Sequence, residues 1–512
     1  MLSKVWTAAT LGIDAVRIVI EVDAGGYANR QPGFTLVGLP DPVVREALCR
    51  VSTALGNCGL HLPPRRITVN LSPADVRKEG SGFDLPMAIG ILHALEALRD
   101  EHIAGRLFVG ELSLDGTLTP IRGTLAISAA LTGDAAVREL IVPAPNANEA
   151  AAVQQVRVIG APHLLALLQH LRGETVIERA TSTPTVDSEH DAADFAEVRG
   201  QQQAKRALEV AAAGGHNVMM VGPPGSGKTM LAKRLATILP RLTLDEAIVT
   251  TEIHSVAGTL PPGSGLIARR PFRSPHHTIS TAGLVGGGAP IRPGEVSLSH
   301  YGVLFLDELP EFRRETLEVM RQPMEDGIVT IARARGTVAY PSRFTLAAAL
   351  NPCPCGFFND SRRECTCSPH TIARYLAKIS GPLLDRIDLQ VEVAALNADE
   401  ISSIAPGEPS ASIRQRVETA RTIQRERFRR SPITCNAEMT SRHMRRHCEL
   451  DPPSRKLLLA AVERLGLSAR AYDRILKVAR TVADLDSSEK ILSGHIAEAV
   501  QYRALDRAYF RS

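Results

Sequence analysis

An eight-residue run, Gly222-Pro223-Pro224-Gly225-Ser226-Gly227-Lys228-Thr229, limits the folds open to this chain more than any other feature. It matches G-x-x-x-x-G-K-[ST], follows an apolar stretch at 218–221 and precedes a helix-forming stretch at 230–239. Strand, glycine turn and helix in that order bring backbone N–H groups and a helix N-terminus around an anion. The expected ligand is the phosphate chain of ATP, with Lys228 on the terminal phosphates and Thr229 on Mg2+. A chance glycine-rich turn is the bland alternative, and it leaves the flanking strand and helix unexplained.

The surrounding sequence supports an α/β fold with a parallel sheet. Runs at 217–221 and 303–306 are very apolar, as strands buried on both faces are, and the helical patterns between them suit βαβ crossovers. The run Val303-Leu304-Phe305-Leu306 ends in Asp307 and Glu308. Asp307 is expected to join Thr229 in holding Mg2+, and Glu308 to orient and deprotonate the attacking water. An Asp-Glu pair taken alone could equally cap a helix. Following a phosphate loop, it reads as the second half of a hydrolytic site.

The order of further residues resembles that of an AAA+ ATPase. Asn351, after the apolar run 346–350, takes the place of the sensor that aligns water. Arg386, in Leu383-Leu384-Asp385-Arg386, takes that of a finger inserted into a neighbour's site. Arg470 takes that of a second sensor, with Arg474 one turn later as the competing choice. The bland reading of each arginine is a surface charge. A finger acting in trans implies a ring, expected to be a homo-hexamer.

Longer strings narrow the likeness. Val198-Arg199-Gly200-Gln201, Gly214-Gly215-His216-Asn217, Ser274-Pro275-His276-His277-Thr278, Arg292-Pro293-Gly294-Glu295, Asn351-Pro352-Cys353-Pro354-Cys355-Gly356 and Ser380-Gly381-Pro382-Leu383-Leu384-Asp385-Arg386 resemble the magnesium-chelatase-like ATPases of the ComM/YifB type. That resemblance covers almost the whole chain. It implies an ATP-driven DNA helicase that promotes branch migration during recombination, as in natural transformation.

Four segments are expected: an α/β unit at 1–174, a linker at 175–194, the ATPase unit at 195–395 and a helical lid at 396–512. The first resembles the Lon-type protease fold through 78–86 and 109–116. Proteolysis there needs a serine activated by a lysine. The aligned positions hold Gly82 and Ile127, and Ser81 is one residue off, so a non-catalytic unit is expected.

Bulk charge does not name a partner, since 59 Lys and Arg against 55 Asp and Glu leave only +4. Basic surface must therefore be local. The string 327–343 reads as a hairpin turning at Arg335-Gly336, and in related MCM-type helicases a hairpin at this place carries a basic residue to DNA. Arg333 is the matching position, with Arg335 beside it; solvated hairpin residues are the alternative. The segment 254–300, rich in Gly, Pro, His and Arg, is expected to face a ring channel. Basic rows in the lid (Arg414, Arg416, Arg421, Arg425, Arg427, Arg429, Arg430, Arg442, Arg445, Arg446) face DNA or merely solvate it.

Cys353, Cys355, Cys365 and Cys367 form C-x-C-x9-C-x-C. In a reducing compartment this arrangement points to structural Zn2+ sooner than to disulfides. No apolar run approaches the roughly 18 residues of a membrane span, and Asp14 interrupts the weak apolar segment after Lys4, so a cytoplasmic protein with no membrane partner is expected. A chelatase-type metal-insertion motor, a regulatory ATPase without a DNA role, and a Lon-like protease are the competing functions. The first needs a partner bearing D-x-S-x-S, a string absent here.

Overall fold

A computed structural model of the protein describes residues 1–27, 32–74, 78, 80–182, 193–333, 336–360, 362–395, 407–506 and 509. The N-terminal sheet contains β1 (Leu2–Leu11), β2 (Asp14–Tyr27), β3 (Gly33–Val37), β4 (Arg65–Ser72) and β5 (Arg106–Phe108). After a small ribbon of β6 (Glu111–Leu112) and β7 (Leu118–Thr119), β8 (Glu139–Pro143) and β9 (Arg157–Ala161) complete it. The seven-stranded order is β3-β4-β2-β1-β5-β8-β9. Strands β1, β2 and β4 pair antiparallel, and the outer pairs are parallel. Alternation sets the register: Ile18, Ile20, Val22 and Ala24 of β2, with Ile67, Val69 and Leu71 of β4, are buried on the same face.

Helix Asp84–Ala94 is buried on every side against β1 and β2. It ends at Ala94, two residues before Glu96, whose left-handed φ of 63° no helix continues. Gly82 and Ile127 contribute neither hydroxyl nor amine, Ile127 is buried, and the Ser81 hydroxyl bonds to Glu111.

Of the expected linker, Ile177 and Ala180 lie back on the N-terminal sheet. Ala180 N–H donates to Val158 O at 2.9 Å. Residues 183–192 fall outside the described residues.

The second sheet is built from β10 (Val218–Val221), β11 (Phe272–Arg273), β14 (Val303–Leu306), β17 (Thr345–Leu350) and β18 (Leu389–Glu392). Its order is β11-β14-β17-β10-β18, parallel throughout. Every residue of β10, β14 and β17 is buried, as a sheet covered on both faces requires. Two hairpins project from this unit: β12 (Gly286–Gly287) with β13 (Arg292–Pro293), and β15 (Ile328–Arg333) with β16 (Gly336–Pro341).

The first part of the segment expected to line a channel, residues 255–266, instead joins the two units. Helix Leu244–Ala257, closed by a Thr243/Glu246 capping box, packs on helix Thr124–Ala130. Ser255 Oγ accepts Gly123 N–H at 2.9 Å and donates to Glu149 Oε1 at 3.0 Å, and Asn148 Nδ2 donates to Gly263 O at 2.9 Å. His254 and His300 are buried with hydrogen bonds to Leu298 O and Arg343 N.

Beyond β18 the described residues form helices, chiefly Ser410–Arg427, Pro452–Leu465, Ala469–Leu485 and Ser493–Gln501. They share one apolar core with helix Gln202–Gly214 and the second sheet. Four of the ten arginines of the basic row hold this lid. Arg414 donates to Thr237 O, Arg416 pairs with Glu209, Arg421 donates to Ala212 O and Arg427 pairs with Asp484. Arg425, Arg429, Arg430, Arg442, Arg445 and Arg446 stay exposed.

Candidate nucleotide site and cysteine cluster

The chain leaves β10 at Val221 and turns through the glycine loop into helix Lys228–Ile238. Gly225 and Gly227 have φ of 78° and 90°, conformations that turn backbone N–H groups inward and that a side chain would strain. Gly222 is pinned between neighbouring strands. Its N–H donates to Leu350 O at 3.2 Å, and a Cβ would stand 2.2 Å from Val393 O.

Lys228 Nζ donates to Gly222 O at 2.7 Å, Pro223 O at 2.9 Å and Asn351 Oδ1 at 3.2 Å. Burial lowers its pKa to about 8, with Asp307 and Glu308 pulling the other way. Thr229 Oγ1 donates to Asp307 Oδ2 at 2.6 Å, so hydroxyl and carboxylate can face one cation. The Ser226 hydroxyl is buried without a hydrogen-bond partner inside the cradle. An orphan donor, inward amides, a lysine and a paired hydroxyl and carboxylate fit a nucleoside triphosphate with its Mg2+.

Glu308 follows Asp307 in a left-handed conformation, φ 51°, a strained geometry typical of functional positions. Its carboxylate lies 3.5 Å from Nδ1 of His277. Strands β11 and β14 are parallel neighbours, so the segments leaving their carboxyl ends meet there. The sequence drew attention to the Ser274–Thr278 string without giving His277 a role; only the strand pairing supplies it.

Lys228, Thr229, Asp307, Glu308 and Asn351 thus converge at the carboxyl ends of β10, β14 and β17, where ligands of parallel sheets bind. Arg386, Arg470 and Arg474 do not join them. Arg386 precedes β18, at the opposite end of the sheet. Its Nη1 donates to Pro382 O at 2.6 Å and its Nη2 pairs with Glu325. Arg474 meets Asp388 at 2.7 Å, and Asp388 also accepts Asn217 N–H. Burial opposes that ionisation, but Arg474 and His216 hold the carboxyl far below the usual range. Arg470 is 68% exposed beside Asp385. The three arginines and Glu325 line one cavity of about 940 Å³ to which no residue of 222–229 contributes.

The cysteine ligand atoms lie within 4.8 Å of one another. Cys353 Sγ is 3.3 Å from Cys355 Sγ and 3.7 Å from Cys365 Sγ, and Cys355 to Cys365 is 3.6 Å. Four soft donors at this spacing fit a tetrahedral metal such as zinc.

Arg333 is exposed at the end of β15, against the β12–β13 hairpin. Its Nη2 lies 3.4 Å from where a Cβ on Gly287 would stand, and Tyr340 Oη donates to Ile291 O at 3.1 Å. Arg335 lies outside the described residues. No helix of the described residues is long and apolar enough to cross a membrane.

Family models agree along the chain. "Magnesium chelatase, subunit ChlI" matches 194–401, its C-terminal model 407–503, and "Subunit ChlI of Mg-chelatase" 20–146. Competence protein ComM of Haemophilus influenzae is 44% identical over 511 residues, 99% of this chain and 98% of its own length. YifB of Escherichia coli is 43% identical over 509 residues, with the same coverage. An archaeal Lon protease of Methanothermobacter thermautotrophicus is 37% identical over 73 residues, 14% of this chain and 11% of its own. Matched end to end by ComM and YifB, and in each of its parts by magnesium-chelatase models, the chain belongs to the ComM/YifB family of magnesium-chelatase-like AAA+ ATPases.

Proposed function

We propose that the protein is an ATP-driven, ring-forming DNA motor that migrates branched recombination intermediates. The observation that carries the ring is the separation of the two halves of the catalytic set. Lys228, Asp307, Glu308 and Asn351 stand at one end of the sheet, Arg386 and Arg470 at the other, so a head-to-tail neighbour must bring the arginines to the nucleotide. When bound, ATP and Mg2+ supply the phosphoryl group and the charge that holds it. Gly222, Pro223, Pro224, Gly225, Ser226 and Gly227 cradle the phosphates, Lys228 neutralises them, and Thr229 with Asp307 holds the ion. Glu308 takes the proton of the attacking water, positioned with Asn351.

Arg333 supports the choice of DNA. It is an exposed arginine on a projecting hairpin, suited to phosphate contacts that position a strand without reading its sequence. Arg335 is assigned the same role. Full-length likeness to a relative named for competence accords with this reading. Hexameric assembly and a cytoplasmic location belong to the same proposal.

The test is ATP hydrolysis with and without four-way DNA across a salt series, together with strand exchange on a labelled junction. Stimulation by DNA that fades steeply with salt is expected. Hydrolysis indifferent to DNA but raised by a porphyrin and a metal-adhesion partner would replace the DNA motor with a metal-insertion motor.

A further inference from the structure

The loop that carries the four cysteines lies on the phosphate loop. Its root is shared with that loop: Leu350 O accepts Gly222 N–H at 3.2 Å and Asn351 Oδ1 accepts Lys228 Nζ at 3.2 Å. Cys353, two residues on, is fully buried. Gly356 then turns with φ 87°, and a Cβ there would stand 2.5 Å from Cδ of Pro224. Only a glycine brings the backbone that close to the proline. The chain between Asn351 and helix Pro369–Leu376 contains no strand or helix among its described residues, so hydrogen bonds of regular structure do not hold it against Pro224.

What can hold it is the thiol cluster. Gly356 falls between Cys355 and Cys365 in sequence, and their Sγ atoms stand 3.6 Å apart, closing a loop across it. Phe358 N–H donates to Cys353 Sγ at 3.3 Å, a backbone bond of the sort that steadies a metal-held thiolate. Asp360 Oδ1 accepts the N–H groups of Arg362 and Arg363, and Phe358, ahead of that turn, makes an edge contact with Tyr509.

We propose that Cys353, Cys355, Cys365 and Cys367 bind one Zn2+ and that the filled site braces the phosphate loop through Gly356 and Pro224, so that metal occupancy sets nucleotide affinity. The inference rests on reading 222–229 as the nucleotide loop and is independent of any role for DNA. Four soft thiolates in a tetrahedral set select zinc over the hard Mg2+ of the neighbouring site. A single ion closing the loop removes conformational freedom that the polypeptide alone would retain. Linkage makes the effect reciprocal: zinc tightens ATP binding by the factor by which ATP tightens zinc.

The full-length protein, purified under reducing conditions without chelator, is expected to contain one zinc per chain by elemental analysis. Stripping the metal should weaken binding of a fluorescent ATP analogue by on the order of tenfold, and added Zn2+ should restore it where Mg2+ alone does not. Cys365→Ser combined with Cys367→Ser should reproduce the loss without zinc rescue. Because that variant can fail to fold, the unmodified protein supplies a second measurement, in which saturating ATP raises the zinc affinity read from equilibrium competition with a colorimetric chelator by a comparable factor. A zinc-free preparation with undiminished nucleotide affinity overturns the proposal, as does an equilibrium zinc affinity that ignores ATP. Lys228→Ala should lose nucleotide and keep zinc; if it binds nucleotide normally, the nucleotide reading itself fails and takes this inference with it.

Discussion

Lys228 and Arg386 stand at opposite ends of one pair of parallel strands. Strands β10 and β18 pair from Val218 with Leu389 to Val221 with Glu392; Arg386 lies before the first of these pairs and Lys228 beyond the last. Four strand residues at ~3.3 Å each put roughly 13 Å of packed sheet between the two ends. Arg386 therefore has no route to the phosphates held by its own protomer. Arg386→Ala should keep nucleotide affinity while hydrolysis falls by roughly 10³ or more. Mixing it with Lys228→Ala should recover part of the activity, because some interfaces then combine an intact loop with an intact finger. Mixtures as inactive as either parent would sink the shared site.

Within one protomer Arg386 is engaged by Glu325, so the proposed shared site requires that this partner be exchanged for phosphate on assembly. Glu325→Gln should release the arginine and lower the protein concentration at which hydrolysis becomes cooperative. A concentration dependence identical to the unmodified protein would show that the pair does not compete with assembly.

The contact of His277 with Glu308 predicts a positioning role. His277→Ala should reduce turnover by on the order of tenfold with little change in nucleotide affinity. His277→Gln, which can still hydrogen-bond the carboxylate, should recover part of the rate. A uniform loss of nucleotide binding would assign His277 to folding instead.

Burial depresses the Lys228 ammonium to about 8, and only the protonated form neutralises phosphate. Nucleotide affinity should therefore hold below that pH and weaken by on the order of tenfold by about pH 9. Equilibrium titrations of a fluorescent analogue across this range test it, and a flat profile would refute the assignment.

Glu149, sealed between the two units, is pushed up to about 7 by burial, which outweighs its hydrogen bonds from Ser255 and the backbone. A carboxyl raised in the fold stabilises it fully below its unfolded value near 4.5 and loses that contribution as pH climbs toward 7, at most about 3 kcal/mol. Glu149→Gln keeps an acceptor for Thr124 and Ser255 but cannot ionise. Its melting temperature should exceed that of the parent near pH 8 and match it near pH 5; scanning calorimetry at both values decides.

The sequence alone carried the chemistry that depends on local order. Strand, glycine turn, lysine and helix follow one another at 218–238, and an apolar strand ending in Asp307-Glu308 is equally self-contained, because backbone geometry over a few residues fixes each. Heavy burial of β10, β14 and β17 was legible for the same reason. What tertiary structure alone decided was which of these pieces meet. The parallel pairing of β11 with β14 sets His277 on Glu308, and the register of β10 with β18 sends Arg386 away from Lys228. The left-handed turn at Gly356 lays a cysteine loop on Pro224, and arginines that read as a basic surface are spent on carbonyls and carboxylates of the core. Such contacts join residues far apart in the chain. They follow from strand order and register, which are set by how whole layers pack and which no local pattern encodes.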